Sequence, residues 1–258
     1  MTVQNPLEKR IPVMEIFGPT IQGEGAVLGQ GTYFIRFGLC DYKCTMCDSM
    51  HAVDPISVKN NADWLTQEEI FLKFQELCKG KDGPKWITFS GGNPCIHDLS
   101  HLCKLFINEG YKIHVETQGS IPAEWLKYCN LVTVSPKGVG MGETTDINAL
   151  EYFLLESTKY TPVAMKIVVF CRADLEFAKE LYYAFSRTLY TEQFYLSLGN
   201  PYPPTLHNAD PIDHTEHLKV LIDEYKCLYE EIKYDKILSR MKFLPQWHVF
   251  VWGNARGV

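Results

Sequence analysis

The chain lacks several features that would place a protein in a common class at once. No apolar run approaches the roughly 18 residues of a membrane span. Residues 1–6 contain no apolar core of the kind that a signal peptide has. The net charge of −6 leaves no global excess of basic residues for binding nucleic acid. We therefore expect a soluble, cytoplasmic protein with no membrane or nucleic-acid partner.

Internal repeats, low-complexity tracts and linkers are also missing, so nothing divides the chain into separate units. The 258 residues are 46% hydrophobic and 22% charged, which is enough apolar chain to bury a sizeable core. This composition excludes a disordered chain. We expect one domain that spans residues 1–258.

Apolar, β-rich segments alternate with helical patterns along the chain. Strands are predicted at 33–37, 86–89, 112–116, 131–134, 165–170 and 194–198. Helices are predicted after a capping box at Thr66, at 98–108, from Pro122, and at about 146–156, 174–187 and 215–232. This alternation predicts an α/β fold with a mostly parallel sheet. Six strands are too few for an eight-stranded barrel, so we expect an open, partial parallel β/α barrel, with a doubly wound sheet as the competing architecture.

Unusual residues follow the ends of four predicted strands. They occupy positions 40–47, 90–94, 117–119 and 135–137. Because parallel strands bind ligands at their carboxyl ends, we expect one site that combines these segments.

Nine cysteines are present, an odd number that does not suit a disulfide framework. Six are scattered, and we expect them to be small buried hydrophobes. Cys40, Cys44 and Cys47 lie within eight residues, and thiolates select zinc or iron–sulfur clusters. Three cysteines leave one iron of a four-iron cluster open to a non-protein ligand. The spacing favours such a cluster, while His51 leaves a Cys3His zinc site as an open alternative.

The spacing Cys-x3-Cys-x2-Cys after a strand resembles the signature of the radical S-adenosylmethionine superfamily. Further segments are similar to the 7-carboxy-7-deazaguanine synthase family, and they lie at 15–25, Arg36, 47–49, 90–94, 116–119, 135–137 and 245–258. The Gln-Gly-Glu-Gly sequence at 22–25, joined to the cysteine triplet, is specific to this family. The similarity extends from about Val13 to the last residue.

This resemblance implies a single radical S-adenosylmethionine domain. The implied lyase converts 6-carboxy-5,6,7,8-tetrahydropterin to 7-carboxy-7-deazaguanine with release of ammonia, a step toward queuosine and other 7-deazapurines. Cys40, Cys44 and Cys47 would hold a [4Fe-4S] cluster, and S-adenosylmethionine would bind its open iron and yield a 5′-deoxyadenosyl radical. The resemblance also implies Mg²⁺, a homodimer and a flavodoxin-like electron donor.

The same resemblance assigns roles to individual residues. The implied cofactor contacts are Met46, Cys47, Asp48, Gly92, Asn93, Glu116, Ser135, Pro136 and Lys137. The implied pterin contacts are Ile21, Gln22, Gly23, Glu24, Arg36, Ser90, His248 and Val258. Arg36 would bind the substrate carboxylate, Ser49 would bind Mg²⁺, and the terminal carboxylate of Val258 would accept a hydrogen bond from the pterin.

Two residues depart from the family pattern. Ser49 stands where the family usually has Thr, so the hydroxyl ligand is kept and a methyl group is lost. Asn93 stands where the superfamily usually has the Glu of Gly-Gly-Glu-Pro, so an oxygen acceptor is kept and a negative charge is lost.

Two alternative functions are considered. One is a radical enzyme that activates a partner protein by removing hydrogen from a glycine, although the chain has no second cysteine triplet of the kind such enzymes often carry. The other is a non-enzymatic zinc-binding module, which would be colourless and hold zinc in place of iron.

Overall fold

Nine β-strands form one sheet in the computed structural model, which describes residues 8–258. Residues 1–7, which include the segment without a signal-peptide core, lie outside the described residues. The strands are β1 (Ile11–Ile21), β2 (Gly31–Phe37), β3 (Asp63–Leu65), β4 (Trp86–Gly91), β5 (Lys112–Thr117), β6 (Leu131–Val134), β7 (Val163–Val169), β8 (Phe194–Leu198) and β9 (Lys242–Leu244). The helices are α1 (Met50–Val53), α2 (Pro55–Asn61), α3 (Gln67–Cys78), α4 (Ser100–Asn108), α5 (Ile147–Ser157), α6 (Arg172–Phe185), α7 (His214–Ile232) and α8 (Trp247–Trp252).

The strand order confirms the expected open barrel. It runs β3-β1-β2-β4-β5-β6-β7-β8-β9. Strand β1 pairs antiparallel with β2 and β3, and every pair from β2 to β9 is parallel. The parallel strands follow one another in chain order without the reversal that defines a doubly wound sheet. Within the described residues β3 and β9 form the two edges and do not pair, so the sheet is not closed.

Strands β1, β3 and β9 and helices α1, α2 and α8 were not predicted from the sequence, and one predicted helix is not an α-helix. Strands β3 and β9 have three residues each, and β1 carries Pro12 and the Gly18-Pro19 pair, which normally break a strand. Strand β1 tolerates them because it is antiparallel and contains two register shifts against β2. The helix predicted from Pro122 is wrong. The chain there forms a five-residue 3₁₀ helix, Glu124–Tyr128, and strand β6 begins three residues later at Leu131.

Alternation along the strands decides which side chains face the barrel interior. In β2, Tyr33, Ile35 and Phe37 are buried in the hydrophobic core, whereas Phe34 and Arg36 face a cavity. The same rule places Glu116 of β5 and Lys166 of β7 on the interior side of the sheet. Charged groups on these strands are therefore enclosed by the fold.

Helices α3, α4, α5 and α6 pack buried side chains into the main core on the face of the sheet away from the cavity. Helix α3 begins after the expected capping box, in which Glu69 N donates to Thr66 Oγ1 and Thr66 N donates to Glu69 Oε2. Its residues Ile70 and Phe74 are buried in the main core. Within residues 8–258 we find no helix whose length and apolar character would let it cross a bilayer.

The end of β4 packs against the segment that leads into the cysteine loop. Gly92 N donates to Phe37 O at 2.9 Å, and Asn93 N donates to Leu39 O at 2.8 Å. A Cβ atom on Gly92 would lie only 1.7 Å from the Leu39 carbonyl oxygen. Glycine is therefore required here by the close approach of two backbone segments.

We predict that Gly92→Ala destabilises the fold, because the added methyl group must displace the Leu39 carbonyl. The expected cost is about 3 kcal/mol in the free energy of unfolding, measured by urea denaturation. Gly31→Ala is the control, since its Cβ would lie 3.3 Å from Pro84 Cβ, a contact that a small shift relieves. Equal denaturation midpoints for the two variants would contradict this view of the β4 end.

Candidate active site

A cavity of about 220 Å³ lies at the carboxyl ends of the parallel strands. Its lining includes most of the residues selected from the sequence, namely Ile21, Gln22, Gly23, Glu24, Arg36, Cys40, Cys44, Met46, Cys47, Asp48, Ser49, Ser90, Gly92, Glu116, Ser135, Lys137, His248 and Val258. Asn93 and Pro136 are not part of it. The structure therefore brings nearly all of the expected segments into one enclosure.

The cysteine loop forms one wall of this cavity. Cys40, Cys44 and Cys47 are free thiols, and burial raises the pKa of Cys44 to about 11 and that of Cys47 to about 12. Within residues 8–258, no group of three His, Cys, Asp or Glu side chains is arranged to hold a single metal ion. In a four-iron cluster each cysteine binds a different iron, so three thiols that line one cavity without forming a single-ion site fit such a cluster.

Asn93 lies behind the cavity wall and is fully buried. Its Nδ2 donates to Asp41 Oδ1 at 2.8 Å, and its Oδ1 accepts from Thr117 Oγ1 at 2.9 Å. The same oxygen accepts from Cys95 N at 3.1 Å and so caps a short 3₁₀ helix, Pro94–Ile96. Since both ends of this amide are bound by the protein, the structure does not bring it to the cavity. Pro136 is likewise buried outside the lining.

Arg36 is held from two sides at one end of the cavity. Its Nε donates to Glu15 Oε2 at 2.7 Å and one Nη donates to Ser49 Oγ at 2.9 Å. Burial would raise the pKa of Glu15, but His51 and Arg36 outweigh this effect and lower it to about 2. The paired guanidinium keeps further N–H groups, which suit a carboxylate ligand.

His51 stands beside this pair, with its Nε2 3.9 Å from Glu15 Oε1. Its two ring nitrogens are buried without a hydrogen-bond partner in the described part of the chain. The ring lines the cavity on the Glu15 side. The sequence raised His51 only as a zinc ligand, and Glu15 received no role there, although it lies in a family-like segment.

A buried ion pair forms another part of the cavity wall. Lys166 of β7 pairs with Glu24, and its Nζ lies 3.6 Å from Glu116 Oε1. Glu24 Oε1 also accepts from Gln246 Nε2 at 2.5 Å. Sequence reasoning missed Lys166 and Gln246. The available signal was a lysine inside a strand that is otherwise apolar, since lysine is almost never fully buried unless it is paired.

Burial and charge act differently on the two carboxyl groups of this corner. Burial alone would raise the pKa of Glu24, but Lys166, His248 and Gln246 outweigh it and lower the value to about 2. For Glu116 burial dominates and raises the pKa, although Lys166 opposes the rise. Of the two carboxyl groups, Glu24 is therefore the one that stays ionised.

Gln22 is buried beside Glu24 and is oriented by a neutral histidine. Gln22 Nε2 lies 3.5 Å from His114 Nδ1, and His114 Nε2 lies 2.8 Å from Thr133 Oγ1. Burial lowers the pKa of His114 to about 3, so the ring stays uncharged and Nδ1 can accept a hydrogen bond. No sequence pattern assigned His114 a role.

The C-terminal segment packs against the loop at residues 22–24. Trp247 N donates to Gly23 O at 2.8 Å, and a Cβ atom on Gly23 would lie 2.5 Å from His248 Nδ1. Ser90 Oγ and Glu116 Oε1 are buried without a hydrogen-bond partner within residues 8–258, and both residues line the cavity. Such atoms are available to a bound ligand.

The residues present fit the cofactors that the sequence implies. Three thiols share one wall, backbone at Gly92 borders the cavity without a side chain, and unpaired polar atoms remain for a polar ligand. Two parts of the cavity wall differ in charge, with a guanidinium at Arg36 and a carboxylate at Glu24. A ligand with a carboxylate at one end and hydrogen-bond donors at the other matches this arrangement.

Comparison with known proteins gives the family. No family model matches the chain. It is 36% identical over 256 residues to the 7-carboxy-7-deazaguanine synthase of Bacillus subtilis (strain 168), which covers 98% of this chain and 100% of that one. It is 35% identical over 250 residues to the synthase of the same name from Bacillus cereus, covering 96% and 99%. The fold is similar to the crystal structure of QueE from Escherichia coli, with a TM-score of 0.59 and 22% identity over 93% of this chain and 95% of that one. Because both Bacillus relatives are matched over nearly their whole length, the chain belongs to the 7-carboxy-7-deazaguanine synthase family.

Proposed function

We propose that this chain is a radical S-adenosylmethionine lyase that converts 6-carboxy-5,6,7,8-tetrahydropterin to 7-carboxy-7-deazaguanine and ammonia. The observation that carries the proposal is that the cysteine triplet, Arg36 and Glu24 line one cavity in a chain of this family. Family membership does not favour the glycine-activating enzyme or the zinc module.

The cysteine loop and the residues around it would hold the cofactors. Cys40, Cys44 and Cys47 would hold a [4Fe-4S] cluster, which with bound S-adenosylmethionine supplies a 5′-deoxyadenosyl radical for hydrogen abstraction. Cavity residues from four segments would then orient the cofactor, and these are Met46, Asp48, Gly92, Glu116, Ser135 and Lys137. Asn93 and Pro136 would act from behind the wall, Asn93 by fixing Asp41 next to Cys40.

On the substrate side, Arg36 would bind the pterin carboxylate through the N–H groups that Glu15 and Ser49 leave free. Ser49 would contribute its hydroxyl to Mg²⁺, a hard cation that takes oxygen ligands. The pterin ring would lie against Ile21, Gln22, Gly23, Glu24, Ser90, His248 and Val258, all of which line the cavity. The cavity walls around a bound pterin would limit the access of water to the reacting ring.

The proposal extends to several properties that rest on the family resemblance alone. These are Mg²⁺ dependence, a homodimer, a flavodoxin-like electron donor and a place in queuosine biosynthesis. A single radical S-adenosylmethionine domain over residues 1–258 and a cytoplasmic location are also proposed, and both rest on the sequence composition as well. A nucleic acid or membrane partner is not part of it.

An anaerobic turnover tests the proposal directly. Reconstituted protein is mixed with reductant, S-adenosylmethionine, Mg²⁺ and 6-carboxytetrahydropterin, and the products are identified by mass spectrometry. We expect a product that is lighter than the substrate by one ammonia. Cleavage of S-adenosylmethionine without change in the pterin would contradict the assigned substrate and return attention to the glycine-activating alternative.

Substitution of the cysteine wall tests the cofactor assignment. We predict that Cys44→Ser lowers the iron content of anaerobically reconstituted protein from about four atoms per chain to below about one, because a cluster ligand is lost. Cys227→Ser is the control, since Cys227 is exposed and does not line the cavity. Metal analysis and the visible spectrum are the measurements. One zinc per chain in the unsubstituted protein, with no brown colour, would refute the cluster.

Substitution of Arg36 tests whether this residue binds the carboxylate of the substrate. We predict that Arg36→Lys raises KM for the pterin by about 10- to 100-fold with a smaller change in kcat, because an ammonium cannot bind Glu15, Ser49 and a carboxylate as a planar fork does. Arg10→Lys, at an exposed ion pair with Glu69, should leave both constants unchanged. An unaltered KM in Arg36→Lys would show that another group binds the carboxylate.

A further inference from the structure

One ammonium lies between two carboxyl groups in the cavity wall. Lys166 is 5% exposed and Glu24 is 7% exposed, so neither charge is screened by bulk water. Lys166 is paired directly with Glu24, whereas it approaches Glu116 Oε1 only to 3.6 Å and without a hydrogen bond. This corner therefore holds more acceptor oxygens than the protein donors around it satisfy.

The Glu24 carboxylate is fixed at both oxygens. Oε2 is bound by Lys166 and Oε1 by Gln246, two residues that approach from different parts of the chain. A carboxylate has about four lone-pair sites, so each oxygen keeps one further site. Since Glu24 lines the cavity, the carboxylate can accept two parallel N–H bonds from one ligand.

Few ring edges offer two adjacent N–H donors. A 2-amino-4-oxopyrimidine ring does so through N3–H and its 2-amino group. A 2,4-dioxopyrimidine ring has an oxygen acceptor at position 2, which would face a carboxylate oxygen with no hydrogen between them. A site built to accept hydrogen bonds discriminates strongly against such a ligand, because its buried acceptors stay unpaired.

Resting on the proposed function, we propose that Glu24 reads the N3–H and 2-amino edge of the pterin ring and that Lys166 is the positioning residue that fixes Glu24 for this contact. Lys166 is suited to the task because β7 is buried along its whole length and lies between β6 and β8. Gln246 supports the second oxygen from the start of a short helix, α8.

Equilibrium binding separates this contact from catalysis. Holoenzyme reconstituted with cluster and S-adenosylmethionine, without reductant, is titrated with fluorescent 6-carboxypterin and with 6-carboxylumazine. The two ligands differ in the group at position 2, which is an amino donor in the first and an oxo acceptor in the second. The variants are Glu24→Gln, Lys166→Met and the double variant Glu24→Gln/Lys166→Met. Lys73→Met is the matched control, because Lys73 forms a half-exposed ion pair with Asp63 outside the cavity.

We expect the unsubstituted protein and Lys73→Met to bind 6-carboxypterin at least about tenfold more tightly than 6-carboxylumazine. In Glu24→Gln the amide offers an acceptor beside a donor, which complements N3–H and the 2-oxo group. Its preference should therefore shift toward 6-carboxylumazine by about tenfold or more. Lys166→Met should reduce the preference for 6-carboxypterin to below about threefold, because the carboxylate loses its fixed orientation.

The double variant covers the possibility that Lys166→Met leaves an unpaired buried carboxylate and does not fold. It buries no net charge at this pair, and it should fold while lacking the preference for 6-carboxypterin. An unchanged preference in Glu24→Gln overturns the assigned contact, and an unchanged preference in Lys166→Met overturns the positioning role. These results leave the proposed function standing. Failure of the unsubstituted protein to bind either ligand, together with no turnover, overturns the proposed function and this inference with it.

Discussion

The buried ion pair between Lys166 and Glu24 is the interaction on which the interior of the sheet depends. A charge that is enclosed by a fold must be paired, because desolvation of a lone ion is costly. Alternation along β7 places Lys166 on the cavity side, and the 22–24 loop supplies its partner. Removing one member of a buried pair typically costs about 3–5 kcal/mol, so this contact constrains where the loop can lie.

The same contact organises distant parts of the chain around the cavity. Glu24 joins Lys166 of β7 to Gln246, and the adjacent Gly23 accepts a hydrogen bond from Trp247. The loop after β1, a central strand and the C-terminal helix thus meet at one carboxylate. The site walls are fixed by long-range contacts and not by the local geometry of any one loop.

This long-range character explains how much the sequence could predict. The six central strands and the open barrel were foreseen because apolar, β-rich segments alternate with capped helices. Strand β1 was missed because Pro12 and Gly18-Pro19 normally end a strand, and the tertiary pairing with β2 outweighs that local preference. The expected site residues were found through family motifs. Lys166 and Gln246 were given no role. A lysine in an apolar strand signals a buried pair, but the partner, Glu24, is 142 residues from Lys166 and 222 residues from Gln246, so no local pattern could identify it.

Asn93 illustrates the opposite case, in which a motif position alone did not indicate where the side chain lies. Its family position suggested a cofactor contact, yet the amide caps the helix at Pro94–Ile96 and binds Asp41 and Thr117. Asparagine is one methylene shorter than glutamate, and short polar side chains readily cap a helix that begins directly after them. The carboxylate next to Cys40 is therefore Asp41, which Asn93, Gln118 and Ser120 hold in place.

Two separate ion pairs in the cavity wall leave different groups free for a ligand. Arg36 is paired with Glu15 and retains N–H donors, whereas Glu24 is paired with Lys166 and retains acceptor sites. A ligand with a carboxylate and a donor-rich ring edge gains at both ends in one orientation. In the reversed orientation its carboxylate would face Glu24 and its N–H groups would face the guanidinium, and like charges in contact are penalised. For the proposed ligand, one orientation would therefore be favoured before any reaction begins, since each pair is held by a strand of the sheet.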